Sequence, residues 1–249
     1  RIRHDSVQSA RRVLLEMPGT LCTSPLIEPV PRYLGPSEGL RIDQLSEPGN
    51  ASSWLPEFAR EEVAFFARLT MAGLIPAEPD DRTGDLRASF GLYQHQLEML
   101  RKGVSECTPG IVTSGTGSGK TEAFLLPILA TISKEARRWP AVSYKTWSPW
   151  WRADNPQPQD VSSMRSVEPA ARPKAVRALI LYPMNALVED QLVRLRKALD
   201  STDAHRVLDE EAAGNRIFFG RYTSATPVTG WLQHPRRSGE RDEISRVRR

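Results

Sequence analysis

Residues Thr113 to Phe124, reading TSGTGSGKTEAF, combine the residue types that hold phosphate. Glycines let the backbone turn so that successive N–H groups converge on an anion, and a helix beginning beneath them adds the positive end of its dipole. In that arrangement Ser114, Gly115, Thr116, Gly117, Ser118 and Gly119 line the cradle, with Glu122 just beyond it. Lys120 would neutralise the β- and γ-phosphates, and the Thr121 hydroxyl would hold Mg²⁺. The strict pattern G-x-x-x-x-G-K-[ST] is broken at its first position, where Ser114 stands. Serine is small enough for the turn. A plain Gly/Ser-rich loop ahead of a helix would not explain why Lys-Thr sits where the phosphates need it.

A second group lies 24 residues before Lys120. Leu92, Gln96, Met99 and Leu100 share one helical face. A carboxamide can donate to N7-type and accept from N6-type positions in one bidentate match, which selects adenine over guanine. Gln96 is placed to do this, with Tyr93 or Phe90 as a stacking plane. Alternatively, Gln96 is an exposed residue of an amphipathic helix; its position ahead of the loop favours adenine. His95 reads as structural, with no metal-binding companion nearby.

A third group follows Val176–Tyr182, an apolar run expected as a β-strand. Pro183-Met184-Asn185 is the turn, and residues 186–199 read as a helix with Leu187, Leu192, Leu195 and Leu199 on one face. Strand, tight turn and helix make a βα unit, so the sheet is expected to be parallel, with ligands at the carboxyl ends of its strands. Arg194, Arg196 and Lys197 give the helix a basic side. Residues 216–222 read as another strand running into Thr223-Ser224-Ala225-Thr226-Pro227. Hydroxyls and N–H groups there either hold sugar–phosphate oxygens or form an ordinary Thr/Ser turn.

The elements that must position these groups are uneven along the chain. Residues 1–50 open with a basic helical start stopped at Pro18-Gly19, then carry prolines spaced too closely for long helices. A helix is expected at about 54–73, with Pro56 in its first turn, and Asp80–Asp85 reads as a polar linker. This gives an N-terminal extension over 1–85 and a main domain over 86–249. Residues 121–133 are apolar nearly all round and should be buried, with a bend at Pro127. Residues 134–175 are rich in Pro, Ser and Arg and carry Trp139, Trp147, Trp150 and Trp151; they read as a long insertion without regular structure, docked by its tryptophans or meeting a partner. Residues 200–215 read as a helix end and a loop.

With 249 residues, 39% hydrophobic and 26% charged, the chain has room for one large domain or two small ones. No apolar run approaches the roughly eighteen residues that span a bilayer, and no secretory signal opens the chain. Cys22 and Cys107 form no metal-ligand spacing or disulfide framework, which fits a reducing cytoplasm. Of 34 basic side chains only six are lysines. The arginine excess suits phosphate contacts or reflects codon usage, and a net charge of +4 is weak evidence for a polyanion partner. The first residue is Arg, so the chain reads as a piece of a longer frame.

Together these blocks resemble superfamily 2 helicases of the DEAD/DEAH-box type. Leu92 to Gln96 resembles the Q motif, Ser114 to Thr121 resembles motif I, Tyr182 to Gln191 resembles motif Ia, and Gly220 to Pro227 resembles the motif Ib region. Tyr-Pro-Met-Asn-Ala-Leu at 182–187 is closest in wording to the YprA-like branch, and relatives with such insertions occur in anti-phage defence systems such as Druantia and DISARM. The resemblance implies an α/β, RecA-like P-loop NTPase lobe with an incomplete parallel sheet, ATP and Mg²⁺ as cofactors, and nucleic acid as partner, with DNA favoured over RNA. It also implies that Pro183, Met184, Asn185, Gln191, Arg194, Tyr222, Thr223 and Thr226 meet the tracking strand. No apolar strand ending in Asp-Glu-x-Asp or Asp-Glu-x-His occurs, and no second RecA-like domain is present. The chain alone is therefore expected not to turn over ATP. A double-strand translocase subunit and a non-hydrolysing nucleic-acid-binding module are the alternatives.

Overall fold

A computed structural model describes residues 4–21, 27, 39–106, 108–115, 117–152 and 162–223. Two compact units divide the chain at residues 33 and 34. In the first, helix α1 (Asp5–Glu16) buries none of its side chains and carries an Arg12–Glu16 ion pair at 3.2 Å. It stops at Met17, whose backbone is extended, because the ring of Pro18 disfavours helical geometry in the residue before it.

In the second unit the core is helical. The helix expected at about 54–73 is α3 (Arg60–Met71), which starts later, and a separate helix α2 (Pro48–Trp54) ends where it was expected to begin. The break has a local cause: Pro56 pushes Leu55 out of the helical region, to φ −136° and ψ 58°. A new helix starts once Glu62 Oε2 accepts the Ala59 N–H at 3.1 Å. Val63, Phe65, Phe66 and Leu69 of α3 are fully buried, together with Ile42, Leu45 and Leu55. They pack in one cluster with Leu97 and Leu100 of α4 (Gln94–Arg101), with Leu126, Leu129 and Ala130 of α5 (Lys120–Ala136), and with Ala204, Val207 and Leu208 of α7 (Thr202–Glu211). The segment 42–75 thus shares a core with the helix that follows the glycine loop. Helix α5 runs through Pro127; Ala123, Leu125, Leu126, Leu129 and Ala130 are buried, while Phe124, Ile128 and Ile132 are half-buried.

The polar run Asp80–Asp85, expected as a linker, is the turn of a hairpin. Strand β1 (Ala77–Pro79) pairs antiparallel with β2 (Leu86–Ala88), Ala77 opposite Ala88. Asp80 Oδ1 accepts the N–H groups of Arg82 and Thr83, which hold its carboxyl below the usual carboxylate range. Gly84 closes the turn at φ +73°, where a side chain would be strained.

This hairpin is the one sheet among the described residues. The two runs expected as parallel strands, 176–182 and 216–222, form no ladder. Val176, Leu179 and Leu181 are 78–82% exposed. A strand exists only when a neighbour takes its hydrogen bonds, and none of the described segments pairs with these runs in a ladder. Tyr182 is followed by α6 (Asn185–Leu199), as the βα pattern predicts. Residues 200–215 hold a full helix, α7, capped by Ser201 Oγ, which accepts the Ala204 N–H at 3.1 Å.

The insertion is docked, over its described parts. Arg172 and Glu168 are both buried and pair at 2.7 Å. Arg172 also donates to Tyr144 Oη, Asn215 Oδ1 and the Arg216 carbonyl, and its guanidinium lies 4.0 Å over the Trp139 ring. Trp139 and Trp150 are buried. Tryptophan docking is the outcome here, and it rests on a charged centre that the Pro/Ser/Arg composition did not reveal.

Candidate functional site

The glycine loop is shaped by left-handed residues and bracing hydroxyls. Gly117 and Gly119 have φ of +76° and +70°. At Gly119 even a methyl group would stand 2.3 Å from Gln96 Nε2, so both backbone sign and space demand glycine. Ser118 is buried; its Oγ donates to the Gly115 carbonyl at 2.8 Å and shares a 2.6 Å hydrogen bond with Ser114 Oγ. Serine at the first glycine position therefore ties the two limbs of the loop together. Lys120 Nζ donates to the Ser114 carbonyl at 2.7 Å and to the Gly115 carbonyl, so its ammonium lies across the loop. One of its three donors remains. Thr121 follows in the first turn of α5, half-buried. Thr116 lies outside the described residues.

Helix α4 grips the other side of the loop. Its N-terminus is closed by a capping arrangement in which Gln96 Oε1 accepts the Tyr93 N–H at 2.9 Å. Gln96 Nε2 donates to the Gly119 carbonyl at 3.0 Å, and His95 Nε2 bonds the Ser118 carbonyl at 2.9 Å. A carbonyl only accepts, so the His95 proton is assigned to Nε2. The Tyr93 and His95 rings stack 5.5 Å apart with 12° between their planes. Four loop carbonyls, those of residues 114, 115, 118 and 119, are thus drawn onto side chains. The first N–H groups of α5 have no intrahelical acceptor. Acceptors engaged and donors left over is the condition an anion needs. A phosphate fits this loop, and Lys120 and Thr121 are the residues that would hold it and a Mg²⁺. Among the described residues no cluster of three or more His, Cys, Asp or Glu is arranged to complete a metal site.

Gln96 is almost fully buried, with both ends of its amide in use. One N–H and one lone pair remain for a base. His95 reads as structural from the sequence, and the Ser118 carbonyl is the partner the sequence did not name. That partner is 23 positions away, and no local spacing announces a contact with a backbone carbonyl. Replacing it by Leu would leave the Ser118 carbonyl without this donor, at a cost of about 0.5–1.5 kcal/mol, or about two- to tenfold in nucleotide Kd. His95→Gln places an amide N–H at similar reach and is expected to recover most of the loss. Titration of both variants with a fluorescent ATP analogue checks this.

The residues expected at nucleic acid fall into three groups. Pro183, Met184 and Asn185 are exposed at the start of α6, and Tyr222 is 98% exposed. Thr223 is half-buried, and Thr226 lies outside the described residues. Gln191 and Arg194 bond to protein side chains, Gln191 buried and the Arg194 side chain 43% exposed. Gln191 is buried with Nε2 on Asp190 Oδ2 at 3.0 Å. Arg194 Nη1 donates to Glu122 Oε1 at 2.7 Å, joining α6 to the first turn of α5. No helix among the described residues is long and apolar enough to cross a membrane.

A model of the DEAD/DEAH box helicase family matches residues 93–217, the stretch holding α4, the glycine loop, α5, the insertion, α6 and α7. The chain is also similar to Druantia protein DruE of Escherichia coli (strain UMEA 4076-1), 28% identical over 249 residues that cover 98% of this chain and 10% of that protein. It therefore spans about a tenth of that relative's length. No solved structure matches the chain.

Proposed function

The chain belongs to the DEAD/DEAH box helicase family, and from that premise we propose that it is the ATP-binding lobe of a superfamily 2 helicase acting on DNA. The lobe comprises residues 86–249 with the 1–85 segment as its extension, it has a RecA-like plan, and it works in the cytoplasm as part of a Druantia-like defence assembly. The YprA-like wording of residues 182–187 supports that branch. The observation that carries the nucleotide reading is the Lys120 ammonium held across a loop whose carbonyls are engaged by Gln96, His95 and Lys120 itself.

In this reading the loop N–H groups and Lys120 bind the phosphates, and Thr121 holds Mg²⁺, which screens their charge when bound. Gln96 uses its remaining N–H and lone pair on adenine, beside the Tyr93 ring. The exposed Pro183, Met184, Asn185 and Tyr222, with Thr223 and Thr226, contact the backbone of a nucleic-acid strand. The chain has no Asp-Glu-x-Asp or Asp-Glu-x-His block, so it binds ATP without turning it over.

Competition of ATP and GTP for a fluorescent nucleotide tests the adenine assignment. ATP is expected to displace it at least tenfold better, about 1.4 kcal/mol of discrimination, within the range of a bidentate amide pair. Gln96→Ala should level the two. Equal displacement by both nucleotides in the unsubstituted chain would remove Gln96 from the base.

A further inference from the structure

Glu122 and Arg194 form a link that phosphate binding alone does not require. Glu122 follows Thr121 in the first turn of α5, and its side chain is 19% exposed. Arg194 reaches it from α6 at 2.7 Å and also faces Asp190 Oδ2, one turn earlier on its own helix, at 3.5 Å. Among the described residues, two buried polar atoms of this helix and of the run before it lack a hydrogen-bond partner, Tyr182 Oη and Gln191 Oε1. The Tyr182 ring stands 6.4 Å from that of Phe124 in α5. Burial pushes its hydroxyl above the usual tyrosine range, with Arg194 pulling it down and Asp190 pushing it up, which locates that hydroxyl beside the same charges.

A buried acceptor left unpaired costs on the order of 1–3 kcal/mol, so an arrangement that fills it competes with the present one. Gln191 and Arg194 are three residues apart on one helix and face the same side. When Arg194 leaves Glu122, its guanidinium has Gln191 Oε1 within the span of a helical turn. Phosphates entering the loop bring negative charge beside Glu122, and the two anions then compete for Arg194. The observed pairing with Glu122, and a pairing with Gln191 Oε1 in its place, would supply the two discrete arrangements that coupling between sites needs.

We propose that the Glu122–Arg194 pair is a positioning contact that passes occupancy of the glycine loop to helix α6, and so to the exposed turn Pro183-Met184-Asn185 from which that helix starts. This rests on the reading of the loop as an ATP site. Glu122 and Arg194 would then set how strongly the nucleotide and strand surfaces respond to each other.

Hydrogen exchange of the 249-residue chain, read by mass spectrometry with ATP·Mg at concentrations saturating for each variant, tests the proposal. In the unsubstituted chain nucleotide is expected to change exchange over residues 185–199 by about fivefold, the low end of common coupling strengths. Glu122→Gln and Arg194→Gln should each abolish that change, and in Arg194→Gln residues 113–121 should still respond. The charge swap Glu122→Arg with Arg194→Glu should restore it, and Arg194→Lys should keep part of it should the swap fail to fold. An α6 response that survives both single substitutions overturns the proposal. So does protection of residues 113–121 with no change in α6 of the unsubstituted chain. Absence of any nucleotide-dependent protection at 113–121 overturns the ATP reading itself, and the coupling with it.

Discussion

Glu168→Ala is expected to lower the melting temperature of the chain by roughly 6–20 °C. The carboxylate is 0% exposed and pairs at 2.7 Å with an Arg172 guanidinium that is 3% exposed. Taking one partner from a buried pair strands the other charge, at a cost of about 3–5 kcal/mol. For a domain of this size each kcal/mol is worth about 2–4 °C. Neutral acceptors at Tyr144 Oη, Asn215 Oδ1 and the Arg216 carbonyl would still receive Arg172 and keep the loss toward the lower figure. The Tyr144 hydroxyl, whose pKa burial pushes up, donates to Glu168 Oε1 at 3.2 Å and loses that acceptor in Glu168→Ala, which adds to the cost. Removing both charges, Glu168→Leu with Arg172→Met, should cost much less than Glu168→Ala, since burying two apolar groups is often neutral against burying an ion pair. Differential scanning fluorimetry on the three proteins gives the comparison. A Glu168→Ala melting point within about 2 °C of the parent would mean the pair is solvated and the insertion is held otherwise.

That centre also marks where the sequence stopped being legible. The helix α5 was readable because Ala123, Leu125, Leu126, Leu129 and Ala130 are apolar on every side, and each of them is buried. The glycine loop was readable because Gly117 and Gly119 must adopt a backbone that other residues resist. Helix α7 was not, although Ser201 and the Ala204, Val207, Leu208 spacing carried the signal of a capped amphipathic helix. Its acidic end at Asp209–Glu211 drew the reading toward a loop. Nothing in the composition of residues 134–175 sets Arg172 and Glu168 apart from the other charges there. Only the tertiary fold brings them against Asn215 and Trp139, 43 and 33 positions from Arg172.

The expected strands show a different limit. Val176 to Tyr182 has strand-forming residues and leads into a helix as foreseen, but composition names no pairing partner, and Leu179 and Leu181 are exposed here. The site divided in the same way. Tyr93, Gln96, Ser114, Ser118, Gly119 and Lys120 were legible as types at workable spacing, and the fold brings them together. That His95 holds the loop, and that Arg194 is tied to Glu122, depended on contacts 23 and 72 positions apart, which no motif encodes.

Lys120→Ala carries the largest functional effect. Among the described residues the ammonium is the one side-chain cation bonded to the loop, and it bridges two of its carbonyls. Charge-assisted hydrogen bonds to a phosphate are worth about twice neutral ones, and Lys120 would make them with both terminal phosphates. Losing about 3 kcal/mol of such contacts weakens binding by about 100-fold. The fold should not suffer, because the side chain is only half-buried and its partners are loop carbonyls.

The central claim is that this loop is an ATP site. It is tested most directly by titrating a fluorescent ATP analogue with Mg²⁺ into the chain and into Lys120→Ala, matched for helix content by circular dichroism. Saturable binding that weakens by about 100-fold in Lys120→Ala is the predicted result. Equal binding by the two proteins, or none by either with both folded, would contradict it.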